Sequence, residues 1–328
     1  MKSLRTIDPS GSIALQEIDR PTPSPGQCLI QLRCAALNRR DQWIREGLYP
    51  GIKAGVTLGS DGCGVVVEGP EEWVGKEVII NPSLDWGNDP AAQGPDYSIL
   101  GLPVDGTLAE YMVIGTDQLV EKPAHLTTSE AAAIPLAALT AYRACVTKAQ
   151  IVAGNRVLVG GAGGGVSQFA LSIAKSLGAE VYVTSSSEEK VARSVAQGAS
   201  GGFDYRDASW TKQALGSAGA FDVVIDGAAG PNIDSYLQVI KPGGRIVVYG
   251  ATAGKPKELD VRRLFWSQVA IHGSTMGSPE EFKEMVNLFD SKQIRPVIDQ
   301  MYRLGDGLQA FDRFKASDHF GKIVIEIS

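Results

Sequence analysis

A glycine-rich run at residues 160–165 is the part of the chain whose composition most directly indicates chemistry. It follows the apolar stretch Arg156–Val159, and beyond it Phe169, Ile173 and Leu177 recur at helical spacing. Glycine permits a tight turn and a close approach of bare backbone to a ligand, and the start of a helix offers unpaired N–H groups and a positive dipole end. The run therefore predicts a pyrophosphate-binding turn; the alternative is a glycine-rich turn that holds no ligand.

The surrounding order of elements strengthens this prediction. A second apolar stretch at residues 181–184 completes a strand–helix–strand unit of about 30 residues. Ser167 stands where the usual dinucleotide fingerprint has a third glycine. Two further strands end in small residues, and ligands lie at the carboxyl ends of strands in such sheets. The cofactor-binding candidates from these turns are Gly161, Ala162, Gly163, Gly164, Gly165, Val166, Gly227, Ala228, Tyr249, Gly250 and Ala251.

The end of the second strand bears on the choice of cofactor. A carboxylate at this place selects NAD, because it accepts hydrogen bonds from the ribose and repels a 2′-phosphate. Here the strand ends in hydroxyl residues, and Ser185, Ser186 and the following Lys190 can bind a phosphate. NADPH is therefore the predicted cofactor. The acidic pair at residues 188–189 opposes this prediction, because it would repel the phosphate unless both side chains point away. The alternative is that Ser187 only caps a helix.

The elements that must position these residues divide the chain into two kinds of sequence. Residues 1–128 contain short alternating or apolar runs separated by proline and glycine, which suggests a β-barrel. Strands and helices alternate in residues 129–275, which predicts a parallel sheet covered by helices. A last strand at residues 321–327 is isolated from that sheet and is expected to pair with the first domain. Residues 81–107 are predicted to form a long loop.

Bulk composition limits the partners. With 328 residues, 44% hydrophobic, 21% charged and a formal net charge of −6, the chain fits a two-domain globular protein and does not favour nucleic acid or an acidic membrane surface. No apolar run indicates a signal peptide or a membrane span, so we expect a cytoplasmic protein. The four cysteines are scattered without paired spacing, which argues against disulfides and structural zinc.

Four segments together resemble the medium-chain dehydrogenase/reductase superfamily, and in particular its zinc-free quinone-oxidoreductase-like branch. They are residues 35–41 with 45–47, residues 59–64, residues 139–142 and residues 161–167, and the terminal Gly-Lys-Ile-Val strand adds to the likeness. The resemblance implies an α/β protein with a GroES-like β-barrel domain, residues 1–128 and 276–328, around a Rossmann doubly wound parallel sheet, residues 129–275. It also implies an active site in the cleft between the two domains.

The same resemblance implies that catalytic zinc is absent. Asn38 stands where zinc-dependent members have a cysteine, and Gly59-Ser60-Asp61 stands where they have Gly-His-Glu. None of the three histidines lies in a segment that matches a ligand position. The lobe that holds structural zinc in relatives corresponds here to a cysteine-free loop. We therefore predict no metal site.

The remaining site candidates also come from the resemblance. Asn38 and Thr140 are implied to face the nicotinamide and the substrate, with Asp41, Asp61 and Tyr49 near them; turn, packing and capping roles are the alternatives. Tyr205 and Arg206 resemble residues beside the adenosine phosphate, and Thr275 and Met276 resemble the segment at the carboxamide. Lys322 is a further cofactor-binding candidate, against the stronger alternative of an exposed lysine on an edge strand.

These observations lead to one main functional hypothesis. A metal-free site must stabilise a developing enolate or alkoxide by hydrogen bonds while the nicotinamide supplies hydride. We predict a zinc-independent NADPH-dependent oxidoreductase that reduces an apolar, electron-poor small molecule, either a quinone or an α,β-unsaturated carbonyl. The alternatives are a zinc-free carbonyl or alcohol oxidoreductase and an NADPH-binding interaction protein with little turnover. Relatives commonly form dimers, so a homodimer is expected.

Overall fold

The computed structural model describes residues 1–327. Its strands are β1 (Lys2–Thr6), β2 (Ile13–Glu17), β3 (Gln27–Ala36), β4 (Asp61–Glu68), β5 (Glu77–Ile80), β6 (Ser83–Leu84), β7 (Ser98–Ile99), β8 (Tyr111–Gly115), β9 (Leu119–Glu121), β10 (Arg156–Val159), β11 (Glu180–Ser185), β12 (Gly201–Asp204), β13 (Phe221–Asp226), β14 (Ile240–Val248), β15 (Ala270–Gly273), β16 (Ile298–Arg303) and β17 (Lys322–Glu326).

The α-helices of the same residues are α1 (Arg39–Arg45), α2 (Thr128–Ala133), α3 (Pro135–Tyr142), α4 (Gly165–Ser176), α5 (Glu188–Ala196), α6 (Trp210–Ser217), α7 (Asn232–Val239), α8 (Val261–Trp266), α9 (Pro279–Lys292) and α10 (Gly307–Ala316). A π-helical turn at Arg143–Lys148 follows α3. The chain forms two compact units, Met1–Leu139 with the residues from Gly277 onward, and Thr140–Met276.

The first unit is built on a seven-stranded sheet. Its strand order is β16-β17-β3-β4-β5-β9, with β8 also pairing with β3. The predicted return of the terminal strand to the first part of the chain is confirmed, because β17 pairs antiparallel with β3 in the register Val324 to Ala36. Strand β17 also has β16 as a parallel neighbour. It is therefore an interior strand, and the edge-strand alternative for Lys322 is wrong.

The second unit is the predicted parallel sheet, and that prediction is confirmed. Its six strands have the order β12-β11-β10-β13-β14-β15, and every pairing is parallel. The order reverses beside β10, and such a switch point opens a crevice at the carboxyl ends of the strands. Strand β10 is buried beyond its first residue, as a central strand covered on both faces must be.

Helix α4 shows why the chain folds locally in this way. Phe169 and Ile173, which the sequence places on one face, are both buried, whereas Lys175 near the helix end is exposed. An amphipathic stripe of this kind is held by packing against the sheet, because a helix of this length is marginal in water. The helix begins at Gly165, one residue before the predicted start.

Two details of the organisation differ from the sequence expectations. The predicted loop at residues 81–107 contains the short antiparallel pair β6 and β7. Helix α2 contacts β3, β4 and β17 of the first unit, although it lies beyond residue 128, where we expected the second domain to begin. The domain boundaries themselves stay a prediction. No helix within residues 1–327 is both long enough and apolar enough to cross a membrane.

Candidate functional site

The glycine turn of the second unit leaves the start of helix α4 open to a ligand. The N-cap is Gly164, and no side chain caps the first turn. Gly161 and Gly163 adopt φ angles of 72° and 106°, in the left-handed region that favours glycine. The uncapped N–H groups and the dipole end suit an anion. The residues of the turn therefore fit the pyrophosphate of a dinucleotide.

A buried amide beside this turn also lacks partners. The side chain of Gln168 is 3% exposed, yet neither its nitrogen nor its oxygen has a hydrogen-bond partner within residues 1–327. Buried polar atoms are almost always paired, so an orphaned amide marks a place that a ligand or water completes. Sequence reasoning missed Gln168, because a glutamine inside an apolar helix pattern carries no local sign of its environment.

Ser167, which stands in place of the third glycine, is joined to the turn through its hydroxyl. Its hydroxyl donates to the carbonyl oxygen of Gly160 at 2.8 Å and lies 3.1 Å from the hydroxyl of Tyr249. Burial raises the pKa of Tyr249, so its hydroxyl stays protonated. A Cβ on Gly227 would lie 2.4 Å from the Tyr249 ring. The small residue at position 227 thus makes room for Tyr249, which the sequence could not show.

The carboxyl end of β13 is fixed by Asp226. Its carboxylate accepts hydrogen bonds from the N–H groups of Ala228 and Ala229 at 3.1 and 2.5 Å and from the Tyr236 hydroxyl at 2.9 Å. Burial raises the pKa of Asp226, and these hydrogen bonds oppose that shift. Ala228, one of the predicted cofactor-binding residues, is therefore fixed by the hydrogen bond from its backbone N–H to Asp226. This bond shapes the loop at the end of β13. Gly250 and Ala251 lie in the next loop, whose backbone bonds to this one.

The predicted adenosine end is brought together by strand pairing. Ser185 lies opposite Asp204, and the N–H of Tyr205 donates to the carbonyl oxygen of Ser185 at 3.3 Å. The guanidinium of Arg206 donates to both carboxylate oxygens of Asp204. Ser185 is 4% exposed, and its hydroxyl accepts from the N–H of Ser187 at 3.1 Å. Tyr205 and Arg206 are exposed and Ser186 is half-buried.

The capping alternative for Ser187 is observed. Its hydroxyl accepts from the N–H of Lys190 at 3.3 Å at the start of α5. The backbone of Lys190 is therefore fixed by this cap in the first turn of the helix. A carboxylate is absent from the last positions of β11, as the sequence shows.

Thr140 and Met276 meet within the second unit. The Thr140 hydroxyl donates to the Met276 sulfur at 3.7 Å, and both residues are buried. Met276 has a φ of 43°, which is uncommon for a residue with a side chain and often marks a functional segment. Thr275, the preceding residue, is exposed. The contact joins two residues that were predicted separately.

Asn38, Asp61 and Lys322 form one buried cluster in the first unit. The ammonium of Lys322 donates to the Leu37 carbonyl oxygen at 2.8 Å, to Asn38 Oδ1 at 2.6 Å and to Asp61 Oδ2 at 2.8 Å. Asn38 Nδ2 donates to the same Asp61 oxygen at 2.9 Å. The second oxygen of Asp61 accepts the N–H of Leu136 at 2.7 Å. Lys322 and Asp61 are 3% and 0% exposed, so Lys322 is not the exposed lysine of the alternative interpretation.

A second buried carboxyl lies beside this cluster. Asp41 Oδ2 accepts the N–H of Asn38 at 2.8 Å, whereas its Oδ1 has no partner within the described residues. Burial raises the pKa of Asp41 to about 6, against the opposing effect of Arg40 and of the Asn38 N–H. Arg40, which the sequence analysis did not single out, is buried and donates to Ser60 and to the Leu100 and Leu102 carbonyls.

Tyr49 lies apart from the hydrogen bonds of the cluster. The guanidinium carbon of Arg40 is 5.0 Å from the centre of its ring, a distance typical of a cation–π contact. The same ring lines a cavity of about 380 Å³ in the first unit, together with Tyr97, Ile99 and Leu102. Tyr49 thus belongs to the wall of a largely apolar cavity.

The His, Cys, Asp and Glu side chains do not form a metal-binding group among the described residues. Within the part of the chain that the structure describes, no group of three or more His, Cys, Asp and Glu side chains could hold a metal ion. All four cysteines are free and buried, as predicted for core residues. Burial raises the pKa of the Cys34 thiol to about 11. Residues 1–327 therefore offer no set of side chains that fits a zinc site.

Two family models match the chain. The one described as "Alcohol dehydrogenase GroES-like domain" matches residues 24–124, and the one described as "Zinc-binding dehydrogenase" matches residues 165–291. The chain is 38% identical to the "Zinc-type alcohol dehydrogenase-like protein YogA" of Leptosphaeria maculans, over 96% of this chain and 94% of that protein. It is 28% identical to the quinone oxidoreductase of Mus musculus, over 99% of this chain and 97% of that protein.

Solved structures give the same result. A crystal structure titled as an NAD-dependent alcohol dehydrogenase superposes with a TM-score of 0.93 at 32% identity, covering 100% of both chains. A structure of the 2-octenoyl-CoA carboxylase reductase CinF, in complex with NADP and 2-octenoyl-CoA, superposes with a TM-score of 0.89 at 26% identity. It covers 99% of this chain and 87% of that one. The GroES-like domain and the Rossmann sheet predicted from the sequence are thereby confirmed.

Proposed function

Because the chain belongs to the medium-chain dehydrogenase/reductase superfamily, we propose that it is a zinc-independent, NADPH-dependent oxidoreductase that delivers hydride to a quinone or an α,β-unsaturated carbonyl. The observation that carries this proposal is the buried cluster of Lys322, Asn38 and Asp61, in which oxygen atoms hold an internal cation. One of these oxygens belongs to Asn38, which stands where zinc-dependent members have a cysteine. The nicotinamide supplies the hydride when it is bound.

The open start of helix α4 supports binding of the dinucleotide. The uncapped turn from Gly161 to Val166 can hold the pyrophosphate, and the hydroxyl-rich end of β11 can hold the adenosine ribose. Ser185, Ser186 and Lys190 favour a 2′-phosphate over a free ribose hydroxyl, because no carboxylate stands at the tip of the strand. The structure of CinF with NADP is in line with this choice.

The composition of the cluster supports catalysis without zinc. Asp61 is already neutralised by Lys322, and Asn38 offers an amide where a metal would need a thiolate or imidazole. In place of a Lewis acid, hydrogen-bond donors must then stabilise negative charge on the substrate oxygen. We assign this function to Asn38, with Asp61 as its support and Thr140, through its contact with Met276, as the residue that positions the nicotinamide.

The apolar cavity beside Tyr49 supports a hydrophobic substrate. Pockets of a few hundred cubic ångströms with mostly apolar walls and few polar groups are typical of small-molecule sites. The mouse relative is named for quinones, and the CinF structure contains an enoyl thioester, so both names point to electron-poor carbon as the hydride acceptor. A second copy of the chain is the proposed partner, since β15 is an edge strand and α8, which precedes it in the sequence, carries exposed aromatic residues.

One set of titrations and assays tests the function. We expect tighter binding of NADPH than of NADH by fluorescence titration, and NADPH oxidation with 9,10-phenanthrenequinone or 2-cyclohexenone but not with a simple aldehyde. Turnover should persist after incubation with EDTA and removal of metals, which elemental analysis verifies. A Ser186→Asp variant should lose at least tenfold in NADPH affinity, because its carboxylate repels the 2′-phosphate.

Other outcomes would contradict specific parts of the proposal. Tighter binding of NADH would overturn the choice of cofactor, and stoichiometric zinc that is needed for turnover would overturn the metal-free site. Reduction of the aldehyde alone would favour a carbonyl or alcohol oxidoreductase, which the names of the fungal relative and of the first superposed structure suggest. NADPH binding without oxidation by any acceptor would indicate an interaction protein.

A further inference from the structure

The ammonium of Lys322 has no hydrogen left for a ligand. An ammonium carries three N–H donors, and three oxygen atoms lie at 2.6–2.8 Å from Nζ. These oxygens belong to Leu37, Asn38 and Asp61, and Lys322 is 3% exposed. Lys322 therefore acts on its neighbours, and its ammonium keeps no N–H for a hydrogen bond to the cofactor in this arrangement.

The environment fixes which way the Asn38 amide faces. Its Oδ1 accepts from the ammonium of Lys322, and its Nδ2 donates to the carboxylate of Asp61. Turning the amide over would direct N–H at an ammonium that has no acceptor and direct oxygen at a carboxylate that has no donor. The ion pair thus selects one orientation of the two.

One donor of Asn38 remains available. Nδ2 carries two hydrogens, and one of them is used on Asp61, whereas no residue among 1–327 accepts the other. The N–H of the backbone is also occupied, since it donates to Asp41 at 2.8 Å. Asn38 is 6% exposed, so this second amide hydrogen belongs to a side chain that is almost fully enclosed.

We propose that Lys322 and Asp61 are positioning residues that orient and polarise the Asn38 amide, so that its free N–H donates to the oxygen that becomes negative in the substrate. An ammonium on Oδ1 draws electron density from the amide and strengthens its N–H as a donor. Lys322 also neutralises the Asp61 carboxylate, which would otherwise repel the oxyanion. The proposal deepens the function proposed above and rests on it.

The chemical step balances without a metal. Bound NADPH would supply the hydride with its electron pair to the β-carbon of the substrate and become NADP⁺, and the π electrons would move to the carbonyl oxygen. The oxygen of this enolate accepts the Asn38 N–H. Water then gives a proton to the α-carbon, so that the saturated carbonyl forms and hydroxide takes a proton from the buffer.

A purely structural tether is the competing explanation, since the same bonds connect β17 with the start of α1. The test compares Lys322→Met with Lys322→Met/Asp61→Asn, which leaves no unpaired buried charge and therefore folds even if the single variant does not. Lys315→Met removes an exposed lysine that pairs with Glu46 and is the matched control. For each variant we would measure NADPH affinity, kcat and KM for 2-cyclohexenone. The side-chain ¹⁵N–¹H signals of Asn38 would be recorded as well, and the Asn38→Ala variant would assign them.

We expect kcat of both Lys322 variants to fall about 100-fold, with NADPH affinity within twofold of the wild type, because only the oxyanion donor is affected. The Asn38 amide signals should move upfield, since the polarising ammonium is gone. Unchanged amide signals, or a kcat of the double variant within threefold of the wild type, would overturn the positioning role. A wild type that binds NADPH but reduces no acceptor would instead overturn the proposed function, and the amide signals would still test the ion pair.

Discussion

At the scale of single residues, the first unit contains a buried carboxyl group, that of Asp41. Asp41 is fully buried, and only one of its oxygens has a partner within residues 1–327. The groups that face it are Arg40, Asp61, Lys322 and the N–H of Asn38, and burial outweighs the favourable ones, so that its pKa rises from 3.8 to about 6. The folded protein therefore binds a proton at Asp41 more tightly than the unfolded chain does.

This shift predicts a dependence of stability on pH. Between pH 3.8 and about 6 the unfolded carboxyl is ionised while the folded one keeps its proton, so the free energy of unfolding falls as pH rises through this window. Asp41→Asn keeps an acceptor for the Asn38 N–H and removes the ionisation. By urea unfolding, the variant should gain about 2 kcal/mol of stability relative to the wild type between pH 4.5 and pH 7.5. An equal difference at both pH values would contradict the raised pKa.

At the scale of elements, the strand ends of the second unit are fixed by contacts that leave no room for a methyl group. A Cβ on Gly160 at the end of β10 would lie 2.2 Å from Asp226 Oδ1 and 2.7 Å from the Tyr236 hydroxyl. These atoms hold the loop after β13, so they cannot move without breaking its hydrogen bonds. Gly160 thus couples two neighbouring strands at the edge where the glycine turn begins.

We predict that Gly160→Ala destabilises the protein by about 2 kcal/mol or more, because overpacking forces these contacts apart. NADPH binding should weaken with it, since the turn follows directly. Gly216→Ala is the control: it lies in helix α6 with nothing within 4 Å of the added methyl, and it should stabilise by about 0.5 kcal/mol. Thermal melting and NADPH titration of both variants test this prediction. Equal melting temperatures and equal NADPH affinities of the two variants would refute the coupling of the two strands by Gly160.

At the scale of the whole molecule, the second unit ends in a surface that a monomer would leave uncovered. Strand β15 has one neighbour in its sheet, and unpaired strand edges tend to pair with another chain. Close to it in sequence, Phe265 and Trp266 in α8 are 64% and 81% exposed, and Ile271 within the strand is 38% exposed. Exposed large apolar residues and a free strand edge are each features of protein interfaces.

The proposed homodimer follows from this surface. Light scattering of the purified protein should give about twice the chain mass of 34.8 kDa. Trp266→Glu should shift the mass to that of the monomer at micromolar concentration, because it places a charge in an apolar contact. Val74→Glu, an exposed apolar residue of the first unit, should leave the dimer intact. A monomeric wild type would exclude the interface.

Much of the architecture was predictable from local patterns. The glycine run, the apolar stretch before it and the amphipathic helix after it sit within a few residues of one another, so backbone preferences and burial alone indicate the turn and the parallel sheet. The open start of α4 agrees with this prediction. The isolated last strand was also assigned correctly, because its apolar run had no helix to connect it to that sheet.

The sequence by itself determined that two units of these kinds form and that one of them has a glycine turn before the start of a helix. Only the tertiary structure decided the environment of Lys322. The register of β17 on β3 places its ammonium within hydrogen-bond distance of oxygen atoms of residues 37, 38 and 61. Likewise, the ring of Tyr249 fills the space over Gly227. Whether a lysine meets solvent or three acceptors depends on groups far away in the chain, and local spacing carries no information about them.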